Sequence, residues 1–142
     1  MYSKPILIFS VFQMNRDVSI NENVHQYILA ELTELGIPTK ELWQSVEGQR
    51  MKSILVEGSE FARETVEDIC ETQEHETYIY SDEHRQSKLV NFAESEEVSL
   101  GELIQVDQDP ALSATNWLLD PITGQYWTTL EIAKPNRVIR YG

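Results

Sequence analysis

The sequence predicts an α+β fold in which one open sheet carries two helices on one face. Residues 5–12 are apolar except for Ser10, which is typical of a strand that is covered on both faces. Two segments with helical periodicity follow, and a predicted hairpin lies between them. The resulting order, β-α-β-β-α-β, is the split βαβ arrangement of ferredoxin-like domains, an α/β sandwich. Because the helices cover only one face of such a sheet, the other face must be covered by another element or subunit.

The first helix is predicted to begin at Ser19, which stands three residues before Glu22 in the spacing of a capping box. Gly36 ends this helix, and Pro38 prevents the helix from restarting. Between these limits, apolar residues recur at helical intervals at Val24, Tyr27, Ile28, Leu32 and Leu35.

The central hairpin and the second helix are predicted next. Residues 40–46 alternate in side-chain character, residues 47–50 make a turn, and residues 53–57 return as a strand. Ser59 is a good N-cap for the second helix. A short fourth strand is expected over residues 77–80.

The C-terminal part of the chain predicts a further hairpin. Residues 93–114 begin with an acidic surface turn, and their apolar residues fit either a strand or a helical turn. Two apolar runs flank a loop that contains Pro121 and Gly124, which is typical of a hairpin. We therefore expect one domain over residues 1–142, with a core over residues 4–92 and a C-terminal hairpin extension over residues 93–142.

Composition restricts the classes of function. The formal net charge is −13 and the 11 basic residues are scattered, so we expect no direct binding to nucleic acid. The acidic excess fits solubility, a field that attracts cationic ligands, or a protein that mimics DNA. The chain contains no run of about 18 apolar residues, so we expect no membrane-spanning helix, and no signal peptide is evident. Cys70 is the only cysteine, so no internal disulfide forms, and we expect a cytoplasmic protein.

The sequence offers no motif for metal or cofactor chemistry. His25, His75 and His84 are isolated from one another, and we expect each at the surface or at a helix end. The sequence has no glycine-rich phosphate loop and no nucleophile elbow. We therefore expect no metal, no cofactor and no activated serine.

Three clusters of polar and aromatic residues are candidates for a binding site. They are Ser10, Phe12, Gln13 and Asn15 at the end of the first strand, Trp43, Gln44 and Glu47 on the hairpin, and Tyr80, Glu83 and Gln86 around the fourth strand. In the predicted fold, the first two clusters approach a common cleft. They fit either the polar edge of a sheet with packed aromatic rings, or a pocket with an aromatic wall, amides and one carboxylate. Such a pocket suits a cationic ligand with a planar heterocycle.

Two short motifs near the ends of the chain suggest a family. The first is Phe9-Ser10-Val11-Phe12-Gln13, and the second is the aromatic-x-x-Asp-x-x-Gly-x-x-Trp-like tail Trp117-Leu118-Leu119-Asp120-Pro121-Ile122-Thr123-Gly124-Gln125-Tyr126-Trp127. Between them stand a helix, an aromatic-bearing hairpin, an acidic amphipathic helix and a strand that ends in tyrosine. In this order and spacing, the chain resembles the phage-encoded S-adenosylmethionine lyases, which were once described as hydrolases.

The resemblance implies a GlnB-like α/β sandwich that forms a homotrimer with active sites between subunits. It implies cleavage of S-adenosylmethionine to 5′-methylthioadenosine and homoserine lactone without a metal or cofactor, as a phage defence against restriction enzymes. In this interpretation, Glu47 holds the substrate ammonium and Trp43 lines the sulfonium or adenine. The other substrate-binding residues are Ser10, Phe12, Gln13, Gln44, Tyr80 and Gln86, the last of them supplied across the subunit interface.

Two alternatives to an enzyme remain open. One is a non-enzymatic trimeric sensor of the same fold that binds a small ligand. The other is an acidic protein that inhibits a nucleic-acid-binding host protein. Formation of methylthioadenosine by the purified protein distinguishes the lyase from both alternatives.

Overall fold

A computed structural model describes residues 4–13, 15–46, 49–106 and 117–129. These residues form two helices, α1 (Val18–Glu34) and α2 (Glu60–Thr72). They also form eight strands, which are β1 (Ile6–Phe9), β2 (Thr39–Val46), β3 (Gln49–Glu57), β4 (Thr77–Ser81), β5 (Gln86–Asn91), β6 (Glu96–Val106), β7 (Trp117–Leu119) and β8 (Tyr126–Thr129).

The strands form one closed antiparallel barrel in the order β1-β3-β2-β7-β8-β6-β5-β4. β1 lies between β3 and β4, and the hairpin of β7 and β8 joins β2 to β6. The predicted fold class is therefore wrong, because the sheet is not the open layer of a ferredoxin-like or GlnB-like split βαβ sandwich with a hairpin extension. The strands β5 to β8 continue the sheet from β4 to β2, and closure pairs the backbone groups that an open edge leaves free.

β1 contributes to the core on both sides of the barrel wall. Leu7 packs with Leu32 of α1 and Val66 of α2, between the wall and the helices. Ile6 and Ile8 belong to a second apolar cluster, which lies inside the barrel. The apolar first strand is thus buried on both faces, as its sequence predicts, and this chain's own strands cover the inner face.

The helix ends test the capping predictions. The N-cap of α1 is Asp17 rather than Ser19, because the Asp17 carboxylate accepts a hydrogen bond from Ser19 N at 3.3 Å. The predicted end of α1 is confirmed, since Gly36 follows the helix with φ +77, the left-handed conformation that favours glycine. The predicted N-cap of α2 is also confirmed, since Ser59 Oγ accepts a hydrogen bond from Ala62 N at 3.0 Å.

The C-terminal strands complete the barrel. β6 occupies most of the described part of residues 93–114, so the strand alternative is correct there. The predicted terminal hairpin is confirmed by the antiparallel pairing of β7 with β8. These strands belong to the predicted extension, yet they close the same barrel that β1 to β4 begin. Neither α1 nor α2 is long and apolar enough to cross a membrane.

Candidate functional site

The barrel encloses a cavity of about 420 Å³ that reaches the solvent beside the β7–β8 turn. Six aliphatic side chains from five strands form its apolar wall: Ile6, Ile8, Leu42, Leu55, Leu103 and Leu118. Polar groups and one aromatic ring complete the lining: Lys40, Gln105, Asp120, Thr123, Gln125 and Trp127. An apolar wall with a few polar groups near the opening is the usual composition of a small-molecule site, and an eight-stranded barrel has room for one such ligand.

The charged part of the cavity is an ion pair between Lys40 and Asp120. Lys40 Nζ lies 2.5 Å from Asp120 Oδ2. The Asp120 side chain is only 6% exposed, whereas that of Lys40 is 29% exposed. The carboxylate is therefore the more enclosed partner, and the ammonium lies nearer the solvent.

The β7–β8 turn fixes the position of Asp120. Its Oδ1 accepts hydrogen bonds from Ile122 N at 2.9 Å and from Thr123 N at 3.4 Å. Its backbone is tied to the turn as well, because Asp120 N donates to Gln125 O and Gly124 N donates to Asp120 O. Burial alone raises the pKa of Asp120. The Lys40 ammonium and the backbone N–H groups of Ile122 and Thr123 outweigh burial and hold the pKa below its usual range. The carboxylate is thus charged and rigidly placed.

A second group of polar residues, the outer polar cluster, lies between α1 and the outer side of β2 and β3. It consists of Glu22, His25, Glu41, Trp43 and Lys52. His25 Nε2 lies 2.9 Å from Glu41 Oε1, and Lys52 Nζ lies 2.9 Å from Glu22 Oε2 and 3.9 Å from Glu41 Oε1. Lys52 Nζ also lies 5.5 Å from the centre of the Trp43 ring. The cluster therefore joins two carboxylates, one ammonium and one imidazole, and the ammonium also lies near the Trp43 ring.

The environment of His25 corrects the prediction that this residue is isolated at a surface or helix end. Its side chain is completely buried and its Nδ1 has no hydrogen-bond partner. Burial lowers the pKa of His25 and outweighs the opposing effect of Glu41. His75 also has a lowered pKa, chiefly because of burial.

The structure brings together several of the predicted substrate-binding residues. Ser10 Oγ donates a hydrogen bond to Lys52 O at 2.7 Å and accepts one from Phe12 N at 3.1 Å. The Phe12 ring meets His25 edge to face, with ring centres 5.8 Å apart. Trp43 pairs with Lys52 across the hairpin. The end of the first strand and the hairpin therefore meet, and the common cleft expected for these residues remains a prediction.

Gln44 and Gln13 are both engaged within the fold. Gln44 Oε1 accepts a hydrogen bond from Ser53 Oγ. Gln13 Nε2 donates to Gln73 O at 2.6 Å and thereby ties the end of the first strand to the end of α2. Neither side chain lines the barrel cavity.

Tyr80 and Gln86 lie apart from the other predicted residues. They line a groove on β4, β5 and β6, and β1 and β3 separate β4 from the hairpin strand β2 that carries Trp43. The Tyr80 ring is flanked by the Arg63 guanidinium at 4.6 Å and by Lys88 Nζ at 5.4 Å. Glu47, the predicted anchor of the substrate ammonium, lies outside the described residues.

Sequence reasoning missed Lys40, Asp120 and Trp127 as site residues. Asp120 and Trp127 stand in the tail motif that carries the family resemblance, which implies no role for either residue. The available signal was an aspartate directly after an apolar strand and before a turn, where a side chain can cap the turn. The pairing of Asp120 with Lys40 depends on the contact between β2 and β7, for which the sequence gives no local signal.

No protein-family model matches this chain, and no curated protein matches it. Among the described residues, no three His, Cys, Asp or Glu side chains come close enough to hold a metal ion. The likeness to S-adenosylmethionine lyases therefore depends on the sequence motifs, and the site depends on the geometry of the cavity.

Proposed function

We propose that the protein is an S-adenosylmethionine lyase and that its substrate binds in the barrel cavity. The observation that carries the proposal is the position of the tail motif. Asp120 and Trp127, two residues of that motif, both line the cavity from the β7–β8 hairpin. The part of the sequence that resembles the lyases therefore builds part of the wall of the barrel cavity.

The chemistry of the lining suits this substrate. S-Adenosylmethionine carries an adenine ring, a sulfonium, an ammonium and a carboxylate. Trp127 offers an aromatic face to the sulfonium or the adenine. The formal net charge of −13 favours a ligand with a net positive charge.

The lyase reaction needs little from the protein besides the shape of the cavity. A carboxylate oxygen of the substrate forms a bond to its own γ-carbon as the bond from that carbon to sulfur breaks. The electron pair of the broken bond stays on sulfur, so the products are a neutral thioether and a lactone, and no proton is transferred in this step. The cavity has to fold the methionine chain so that the oxygen approaches the γ-carbon opposite the sulfur. Since a negative and a positive charge disappear together, the aliphatic wall favours the transition state over the more polar bound substrate.

This proposal locates the site within one chain. The sequence predicts a sheet face that another element or subunit must cover, and in the structure that face lines the inside of the barrel. Trimer formation and a contribution of Gln86 across an interface remain predictions that depend on the family resemblance. The proposed role of Glu47 likewise remains a prediction.

Incubation of the purified protein with S-adenosylmethionine tests the proposal. We expect methylthioadenosine and homoserine lactone in equal amounts by liquid chromatography and mass spectrometry. Trp127→Ala should slow their formation by at least about tenfold if the ring orients the substrate. The matched control is Tyr126→Ala, its neighbour on β8, which does not line the cavity. Absence of both products contradicts the proposal, and retained binding without cleavage supports the non-enzymatic sensor instead.

A further inference from the structure

We propose that the Lys40–Asp120 ion pair is a clamp for an α-amino-acid group, with the ligand ammonium on Asp120 and the ligand carboxylate on Lys40. This inference rests on the proposed function in placing the ligand in the barrel cavity. The inference names the amino-acid group as the part of the ligand that the cavity selects. The same clamp suits any α-amino acid whose side chain is apolar or planar and fits the aliphatic wall.

The two partners of the pair differ in mobility. Asp120 is fixed by the β7–β8 turn through Ile122 N and Thr123 N, and these bonds occupy Oδ1. Its Oδ2 is bound to Lys40 Nζ, and both residues line the cavity. Lys40 reaches this oxygen on a flexible four-carbon chain that is partly exposed. The pair can therefore open by movement of Lys40 while Asp120 stays in place.

A ligand with one ammonium and one carboxylate matches the opened pair. Its ammonium takes the place of the Lys40 ammonium on Asp120, and its carboxylate receives the displaced Lys40. The four charges then alternate in sign, and each charged group keeps a charge-assisted hydrogen bond. A ligand with an ammonium alone leaves Lys40 without its partner beside an apolar wall, which costs binding energy. The geometry thus selects for both charges together.

The clamp is compatible with the lyase step. Lys40 holds one oxygen of the ligand carboxylate, and the other oxygen remains free to attack the γ-carbon. After cleavage, methylthioadenosine no longer carries an amino-acid group. The clamp therefore distinguishes the substrate from the nucleoside product and favours release of the latter.

The decisive experiment compares two stable nucleosides by isothermal titration calorimetry. S-Adenosylhomocysteine carries the amino-acid group, and methylthioadenosine lacks it. We expect the wild-type protein to bind S-adenosylhomocysteine at least about tenfold more tightly. An analogue of S-adenosylhomocysteine without the carboxylate should lose most of this preference, and this comparison needs no variant protein.

Variants assign the preference to the ion pair. Lys40→Met and Asp120→Asn should each reduce the preference to about threefold or less. The matched control is Lys88→Met, which removes a lysine from an ion pair of similar length outside the cavity, with Lys88 Nζ 2.8 Å from Glu97 Oε1. Thermal unfolding of each variant shows whether it is folded at the temperature of the titration.

The outcomes separate the clamp from the proposed function. Equal binding of the two nucleosides by the wild-type protein, or no binding of S-adenosylhomocysteine, overturns the clamp. Equal loss of preference in Lys88→Met also overturns it, because the preference then comes from the overall charge. Formation of methylthioadenosine from S-adenosylmethionine is measured separately. A selective clamp without this product leaves the clamp standing and contradicts the lyase.

Discussion

Replacement of His25 by glutamine should make the fold less sensitive to mild acid. His25 is completely buried beside Phe12 and contacts Glu41 through Nε2. Burial lowers its pKa, Lys52 lowers it further, and the raising effects of Glu41 and Glu22 do not compensate. An unfolded histidine has a pKa of about 6.5, so the unfolded chain binds this proton at a higher pH than the folded chain.

The sign and size of the effect follow from this difference. Above about pH 6.5 the histidine is neutral in both states and costs nothing. As the pH falls below that value towards the lowered pKa of the folded state, the unfolded chain gains a proton that the folded chain does not, and stability is lost. Between about pH 7 and about pH 5.5, the loss reaches as much as about 1.2 kcal/mol for one buried histidine. His75 acts in the same direction.

Urea unfolding of the wild type and of His25→Gln at these two pH values measures the effect. We expect the variant to lose about 1 kcal/mol less on acidification than the wild type, whatever its stability at neutral pH. The control is His84→Gln, because the His84 side chain is 80% exposed. This substitution should leave the loss of stability between the two pH values unchanged. An identical loss in His25→Gln and the wild type would refute the assignment of the proton to His25.

Three further predictions concern the backbone, the thiol and the reaction course. Gly36→Ala should cost about 1 kcal/mol of stability in thermal or urea unfolding, because φ is +77 and no atom crowds the new methyl group; an unchanged stability would contradict the positive φ. Burial raises the pKa of Cys70 to about 12, so the folded protein should not react with a thiol reagent at pH 8 and should react once urea unfolds it; rapid reaction of the native thiol is the contrary result. In oxygen-18 water, the first lactone formed from S-adenosylmethionine should carry no label, and early labelled homoserine would indicate a hydrolase instead.

The local elements of this chain were predictable and the closure of its sheet was not. The ends of α1 and α2 follow from Gly36 and Ser59, which act on their own helices. Closure depends on the pairing of Trp43 with Leu119, and no local pattern links residues so far apart in the chain. The order β-α-β-β-α-β is compatible with an open sheet. The predicted fold class is wrong because β5 to β8 continue that sheet and close it into a barrel.

The contacts of the candidate site also include some that the sequence predicts and others that it does not. The approach of the first-strand cluster to the hairpin is expected from the predicted fold, and in the barrel Ser10 contacts β3, which pairs with β1. The pairs His25–Glu41 and Lys40–Asp120 are not predictable from the sequence, because each joins two elements whose contact is set by tertiary packing. Ion pairs of this kind produce no periodic pattern in the sequence, whereas the apolar face of a helix does.

The cavity is expected to form late in folding, because β7 and β8 must pair with β2 and β6 to close the barrel. The hairpin that carries Leu118, Asp120 and Trp127 contains the last described strands to leave the ribosome, and β7 must pair with β2, which is synthesised much earlier. Until they dock, β2 and β6 each present an open edge to which the hairpin of a second chain can add in a domain swap. A ligand in the cavity binds only the docked hairpin and so holds it in place. Its presence is therefore expected to slow amide exchange in β7 and β8 more than in β1, which is already enclosed by β3 and β4.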